Sequence, residues 1–235
     1  MDFDVLPGPP LAEQARTIID RACAAVVSSA VPGIPPATVV PVRASRTGRP
    51  ILLPQPGSML DRQLDASPAI VTISIPADAP FSALRLTGMT RPRQTADLPD
   101  PESDPGQAAP AGYPVVLQSL EFTGATPAPV ALTQYEAAVP DPFRHEAAAV
   151  LRHLERYHLA DLVDCVRAHG ITVAEYVVPR RLDRFGLELL VLSPSGLAAV
   201  RLAFPDGPVT TIAEVPVSIR TSLTCRCALS RCWRY

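Results

Sequence analysis

The chain contains no lysine and no asparagine, and all 21 of its basic residues are arginine. Without lysine there is no Schiff-base nucleophile and no Walker lysine; without asparagine there is no N-glycosylation acceptor. Both absences, with abundant alanine and 28 prolines, fit the coding bias of a GC-rich genome. A basic excess is missing too. The formal charge of −2 leaves nothing to neutralise a run of phosphates, so no nucleic-acid partner is expected. No stretch approaches about 18 uninterrupted apolar residues, and no membrane span is expected. The acidic start MDFDVLPGPP lacks the positive flank and apolar run of a signal peptide. The five cysteines are odd in number and scattered, which fits reduced thiols better than a disulfide framework. These features together predict a soluble cytoplasmic protein.

Several catalytic signatures are absent as well. There is no Gly-x-Gly, hence neither a dinucleotide fingerprint nor a kinase-type glycine loop, and no Gly-x-Ser-x-Gly elbow. Cys-x-x-Cys, Cys-x-x-Cys-His and Cys-Pro are all missing. Cys225, Cys227 and Cys232 cluster in CRCALSRCWRY, where a soft-metal role would need thiolates that meet. With no obvious fourth ligand for zinc, the segment reads as an arginine-rich tail from about residue 224.

What is present is a chain of 235 residues, 47% apolar, enough for one large domain or two small ones. Pro9-Pro10 precede LAEQARTIIDRACAAVVSS, whose Leu11, Ala15, Ile18, Ala22 and Val26 predict an amphipathic helix stopped by VPGIPP. Short apolar runs with β-branched content come next at Thr38–Val42, Ile51–Leu53, Ile70–Ile75 and Leu84–Met89, bounded by turn residues, and predict strands. SMLDRQLDASP predicts a short helix between the second and third. Thr95–Gly112 is acidic, proline-rich and without period, so a mobile surface excursion is expected. PVVLQSLEF resumes as a strand. A long helix is predicted from about Phe143 to His169, then strands RFGLELLVLS and LAAVRLAFP, and a final helix after DGPVTTIAEVP. The chain thus reads as α+β: a helix-flanked β-barrel over residues 1–139, then a small α+β domain over residues 140–235.

HEAAAVLRHLERYH, from His145 to His158, opens like a zinc-protease motif. The second ligand belongs four residues after His145, where Ala149 stands, so the motif fails. At about 100° per residue, His153 lies roughly 80° and His158 roughly 220° from His145. The three cannot converge on one ion, and no metal site is expected. His158 falls among Leu151, Leu154, Leu162 and Cys165 on the apolar stripe. It reads first as a core or interface histidine, with haem ligation as the sharper alternative.

Several segments together carry a resemblance. GRPILL, SPAIVTISI, RLTGM and LEFTGATPAPVALTQYEAAVPDPFRHEAAAVLRHL resemble actinobacterial split-barrel proteins of the FMN-binding, pyridoxamine-phosphate-oxidase-like and haem-utilisation superfamily. HLERYH, LDRFGLEL and VRLAFPDGPV resemble the small C-terminal domain of unknown function carried by those members. The resemblance covers roughly residues 12–223. It implies a split barrel and a homodimer with any ligand in the cleft between subunits. Relatives divide into FMN-dependent oxidoreductases, haem-binding or haem-degrading proteins, and binders of a tetrapyrrole-pathway enzyme that need no flavin.

Flavin-binding relatives read His-Thr-x-Asn-Leu-x-x-x-Pro after the second strand. Here that register holds Leu60, Asp61, Arg62, Gln63, Leu64 and Pro68, and Asp61 would repel a phosphate. Arg43, Ser45, Arg46, Arg62 and Arg85 remain as candidate cofactor donors, each of which also reads as a solvated or barrel-rim residue. The chain accordingly reads as a dimeric split-barrel protein binding a cofactor or partner in haem or tetrapyrrole handling rather than an efficient enzyme, with FMN or haem as the cofactor. The rivals are an FMN-dependent oxidoreductase and a purely structural or interaction protein.

Overall fold

Alternating apolar residues on successive strands can bury one face only by packing on another layer or by closing on themselves. In the computed structural model, which describes residues 8–29, 37–77, 81–95, 111–168, 171–194, 196–204 and 207–215, they close. Six antiparallel strands form the ring: β1 (Ala24–Ser29), β2 (Thr38–Ala44), β3 (Pro50–Leu52), β4 (Ile70–Pro76), β5 (Phe81–Thr90) and β7 (Ala111–Gly124). Their order is β3-β2-β1-β4-β5-β7, and pairing of β3 with β7 (Ile51↔Pro114, Leu52↔Tyr113) completes the barrel. Two short strands, β6 (Gln94–Thr95) and β8 (Ala128–Pro129), also pair with β7.

Period-2 alternation fills the inside. Val71, Ile73 and Ile75 of β4, Leu84 and Leu86 of β5, Phe122 of β7 and Val40 and Val42 of β2 are buried. A six-stranded barrel is narrow enough for such side chains to occupy its interior completely. Helices α1 (Leu11–Arg21), α2 (Met59–Ala66) and α3 (Leu132–Ala137) flank it. Ser58 starts α2 by accepting the Asp61 amide at 3.2 Å, an N-cap that satisfies one of the helix's orphan N–H groups.

The first helix ends sooner than its periodicity predicts. Ala22 is already extended, and Ala24–Ser29 is β1. Ala25 and Val27 point inward and Val26 outward, and pairing with both β2 and β4 outweighs the helical preference of the alanines.

The described residues divide into two compact units, Pro10–Pro140 and the part from Asp141 on. The second unit holds α4 (Ala147–Tyr157), α5 (Leu159–Ala168) and an antiparallel sheet of β9 (Tyr176–Asp183), β10 (Gly186–Ser193) and β11 (Gly196–Ala203), in the order β11-β10-β9. Its core is its own, with Phe143, Val150, Leu154 and Leu162 packed on Val177, Leu187, Leu189 and Val191. The protein is therefore α+β: a closed barrel with flanking helices and a small additional sheet. Gln94 and Thr95 pair with Gly112 and Ala111, so both ends of the expected proline-rich excursion are strand. Residues 96–110 lie outside the described residues. The helix expected after DGPVTTIAEVP falls outside the described residues; in the stretch before it Glu214 accepts from the Thr210 amide (2.9 Å) and the Thr211 hydroxyl (3.0 Å). Residues 216–235, which include Cys225, Cys227 and Cys232, lie outside the described residues.

The single long helix expected from Phe143 to His169 is instead two. His158 leaves helical geometry (φ −131°, ψ 17°), yet its amide donates to Leu154 O and its carbonyl accepts from Leu162 N, both at 2.9 Å. One residue thus ends α4 and starts α5.

Candidate functional site

The β2–β3 hairpin carries three of the candidate donors, and its turn is tightly determined. Ser45 donates its amide to Arg49 O (2.8 Å), accepts the Arg49 amide on Oγ (2.9 Å) and accepts the Gly48 amide on its carbonyl (2.7 Å). Its hydroxyl also pairs with Thr47 Oγ1 at 3.0 Å. Gly48 takes φ +80°, which a side chain rarely adopts, and a Cβ there would fall on the Arg16 guanidinium. That guanidinium donates to Thr47 O and lies over the Tyr135 ring, 5.3 Å from its centroid. Tyr135 in turn donates its hydroxyl to Gly48 O at 2.5 Å. Burial pushes the Tyr135 phenol up to about 12, with Arg16 pulling the other way. α1, α3 and the hairpin turn are thereby locked together.

Beside this lock lies a cavity of about 230 Å³. Thr47 and Arg49 border it from the turn, Val116 and Leu117 from β7, and Leu132, Tyr135 and Glu136 from α3. Sequence reading did not single out Tyr135, Arg49 or Glu136. The one available signal was the density of arginines at positions 43, 46 and 49 around a glycine turn.

The candidate donors do not gather at one point. Arg43 is exposed on the outer face of β2 and Arg46 on the turn, with Ser45 between them and committed to turn hydrogen bonds. Arg85 is exposed on the outer face of β5, paired with Glu121 of β7 at 3.1 Å, and Arg62 is exposed on α2. In the ring order, β2 and β5 are three strands apart in either direction, which sets Arg43 and Arg85 on opposite sides of the barrel. Within one chain these residues do not form a single cradle for an FMN phosphate.

Asp61 has another occupation. Its carboxylate accepts from the Gly57 amide (2.8 Å) and from Arg93, which lies beyond β5. Tyr113 of β7 puts its hydroxyl 3.0 Å from Asp61 Oδ1 and 2.7 Å from Asp65 Oδ1, with Arg93 Nη2 donating to it at 2.7 Å. Burial, and then the carboxylate of Asp65, drive the Tyr113 phenol well above its ordinary range. Asp65 is lowered, chiefly by the hydrogen bond from Tyr113 and further by Arg93. The cluster pins α2 to β7, so Asp61 is a structural carboxylate.

In the second unit, His158 is 6% exposed, with Nδ1 3.0 Å from Asp161 Oδ2 in the first turn of α5. His153 stacks near it, its ring centroid 5.2 Å from that of His158 and 5.1 Å from that of Tyr157. His145 is exposed before α4 begins. Among the described residues no three His, Cys, Asp or Glu side chains converge as metal ligands, and no helix is long and apolar enough to cross a membrane. Burial, and then the neighbouring His158, lower the pKa of His153. With its folded pKa below the unfolded value of 6.5, its contribution to stability is whole above that pH and is lost as pH falls through the window beneath it. The melting temperature of the native protein is expected to approach that of His153→Gln as pH drops below 6.5. A constant difference across the range would assign the pH response to other groups.

No family model and no curated protein matches the chain. Among solved structures its fold is similar to that of a haem-binding protein from Mycobacterium smegmatis, at 22% identity and a TM-score of 0.62, over 93% of this chain and 98% of that one. A protein of unknown function from Agrobacterium tumefaciens, Atu2129, aligns over 94% of this chain and 98% of its own at 18% identity, with a TM-score of 0.35. The first likeness extends through both units and establishes a shared fold: a closed barrel followed by a small sheet.

Proposed function

We propose that the chain is a dimeric split-barrel protein that binds a cofactor or partner in haem or tetrapyrrole handling, and that it is not an efficient enzyme. The observation that carries this reading is the likeness in fold, along nearly the whole chain, to the haem-binding protein of Mycobacterium smegmatis.

Two features of this molecule support it. The first is the outer face of the barrel. Exposed Val39 and Val26 stand side by side on β2 and β1, and exposed Ile70 and Met89 do so on β4 and β5. Between these pairs run the half-buried hydroxyls of Ser28, Thr72 and Thr87. This patch of apolar and hydroxyl side chains, bordered by the mutually paired Arg85 and Glu121, suits packing against a second barrel. The second feature is size. A cavity of about 230 Å³ is below the roughly 300–1,000 Å³ of sites that enclose larger ligands. A tetrapyrrole or flavin is larger than this cavity encloses, which agrees with binding in a cleft that a second copy completes.

On this reading Arg43 and Arg46 of the hairpin receive anionic groups of the cofactor. His158 has the carboxylate-backed imidazole of a good axial ligand, but its burial would require the α4–α5 corner to open. Titration of the purified protein with haemin is expected to produce a saturable absorbance band at about 400 nm. Arg43→Ala with Arg46→Ala should weaken that binding, and the band should survive His158→Ala. Loss of the band in His158→Ala would instead place the iron at the α4–α5 corner. Light scattering should give a dimer. A monomer without spectral change on adding haemin would sink the proposal, and saturable uptake of FMN would favour the oxidoreductase instead.

A further inference from the structure

Arg49 and Glu136 border the same cavity from two different walls, the hairpin turn and α3. They are of opposite charge, but they do not pair with each other. Among the described residues neither charged group makes a hydrogen bond or an ion pair. The half-buried aliphatic side chains of Leu117 and Leu132 line the same cavity. Opposite charges that are not paired with each other, together with aliphatic side chains lining one cavity, are complementary to a molecule with the same three parts.

We infer that this cavity binds a small apolar zwitterion of the α-amino-acid class, with its carboxylate on Arg49, its ammonium group on Glu136 and its side chain on Leu117 and Leu132. Size agrees. At about 30 Å³ per water, 230 Å³ holds roughly eight water-sized groups, close to an amino acid with a branched aliphatic side chain. The backbone of the turn and α3 is fixed before binding, because Tyr135 is tied to Gly48 and Arg16 to Thr47, so the ordering that opposes a small ligand is that of the Arg49 and Glu136 side chains. The paired charges also discriminate: Glu136 repels a simple carboxylate, and Arg49 repels a simple amine. This inference stands apart from the cofactor reading, which concerns a larger ligand and the outer barrel.

The test uses the full chain and L-leucine, titrated into the millimolar range and followed by protein methyl NMR shifts. Saturable shifts at Leu117 and Leu132 are expected. 4-Methylpentanoate and isopentylamine, which each lack one charge, should bind about tenfold or more weakly, since each forfeits a charged hydrogen bond. Arg49→Gln and Glu136→Gln should weaken leucine by a similar factor, and both residues are exposed, so the variants fold. No saturable shift with leucine would overturn the inference. So would equal binding of 4-methylpentanoate, which would make the cavity a plain anion site, or leucine binding unchanged in both variants. Haemin binding is read by absorbance in the visible range, so either ligand can fail without the other.

Discussion

Asp183→Ala is expected to destabilise the second unit by about 3–5 kcal/mol. Asp183 closes β9 with a side chain only 5% exposed and accepts a hydrogen bond from Arg201 of β11, itself 10% exposed. The same carboxylate accepts the Phe185 amide at 3.0 Å and lies 3.8 Å from Arg181 Nε. Alanine would leave the Arg201 cation buried without its counter-charge and orphan the Phe185 amide in the β9–β10 turn. Breaking one half of a buried pair costs more than the pair itself contributes, because desolvation of the survivor is no longer offset. Asp183→Asn keeps an acceptor for Phe185 and should fall between alanine and native. Asp183→Leu combined with Arg201→Met removes both charges and should recover much of the loss. Hydrogen exchange should show the loss in peptides of α4, α5, β9, β10 and β11, whose side chains share one core, while the barrel core keeps its protection. A uniform loss in both cores, or a double variant no better than Asp183→Ala, would refute this account of the pair.

How much of this was legible in the sequence depends on where the deciding contacts lie. β2 and β4 are dense in β-branched residues between turn residues, β5 alternates Leu84 and Leu86 with Arg85 and Thr87, and these local patterns locate them. β1 was hidden, because Ala24–Ser29 continues the alanine-rich helix with two residues between, and its partners are remote segments. β9 was hidden for a similar reason: YVVPRRLD contains a proline and two arginines, and pairing with the strongly apolar β10 is what makes it a strand. The break at His158 did leave a trace. His-Leu-Ala-Asp has the form of a helix start, with an acid three residues past the cap, and a stripe assumed continuous concealed it. Asp61 was a different failure. Its position in α2 was noticed, but Arg93 and Tyr113 lie 32 and 52 residues away, and no local rule connects them to it.

Gly88→Ala is expected to weaken the barrel by about 1–3 kcal/mol, through packing rather than backbone preference. Gly88 is buried in β5 at the register shift where Thr87 faces Ser119 and Gly88 faces Leu117, leaving Gln118 as the extra residue of a β-bulge. A Cβ built there lies 2.4 Å from the Val116 carbonyl oxygen and 2.7 Å from Val115 Cγ1. The oxygen belongs to backbone in the ladder, so relief requires β7 itself to move. Gly57→Ala supplies the control, since Gly57 has φ +73° with nothing near the new methyl, and it carries only the cost of a left-handed backbone. Urea midpoints should separate the two variants. Val116, whose carbonyl must yield, also borders the cavity beside the hairpin, so Gly88→Ala should weaken leucine binding and Gly57→Ala should leave it intact. Equal stability loss with intact leucine binding in both variants would mean that the bulge absorbs the methyl without moving the cavity wall. A loss of leucine binding confined to Gly88→Ala would tie the geometry that closes the barrel to the geometry of the site.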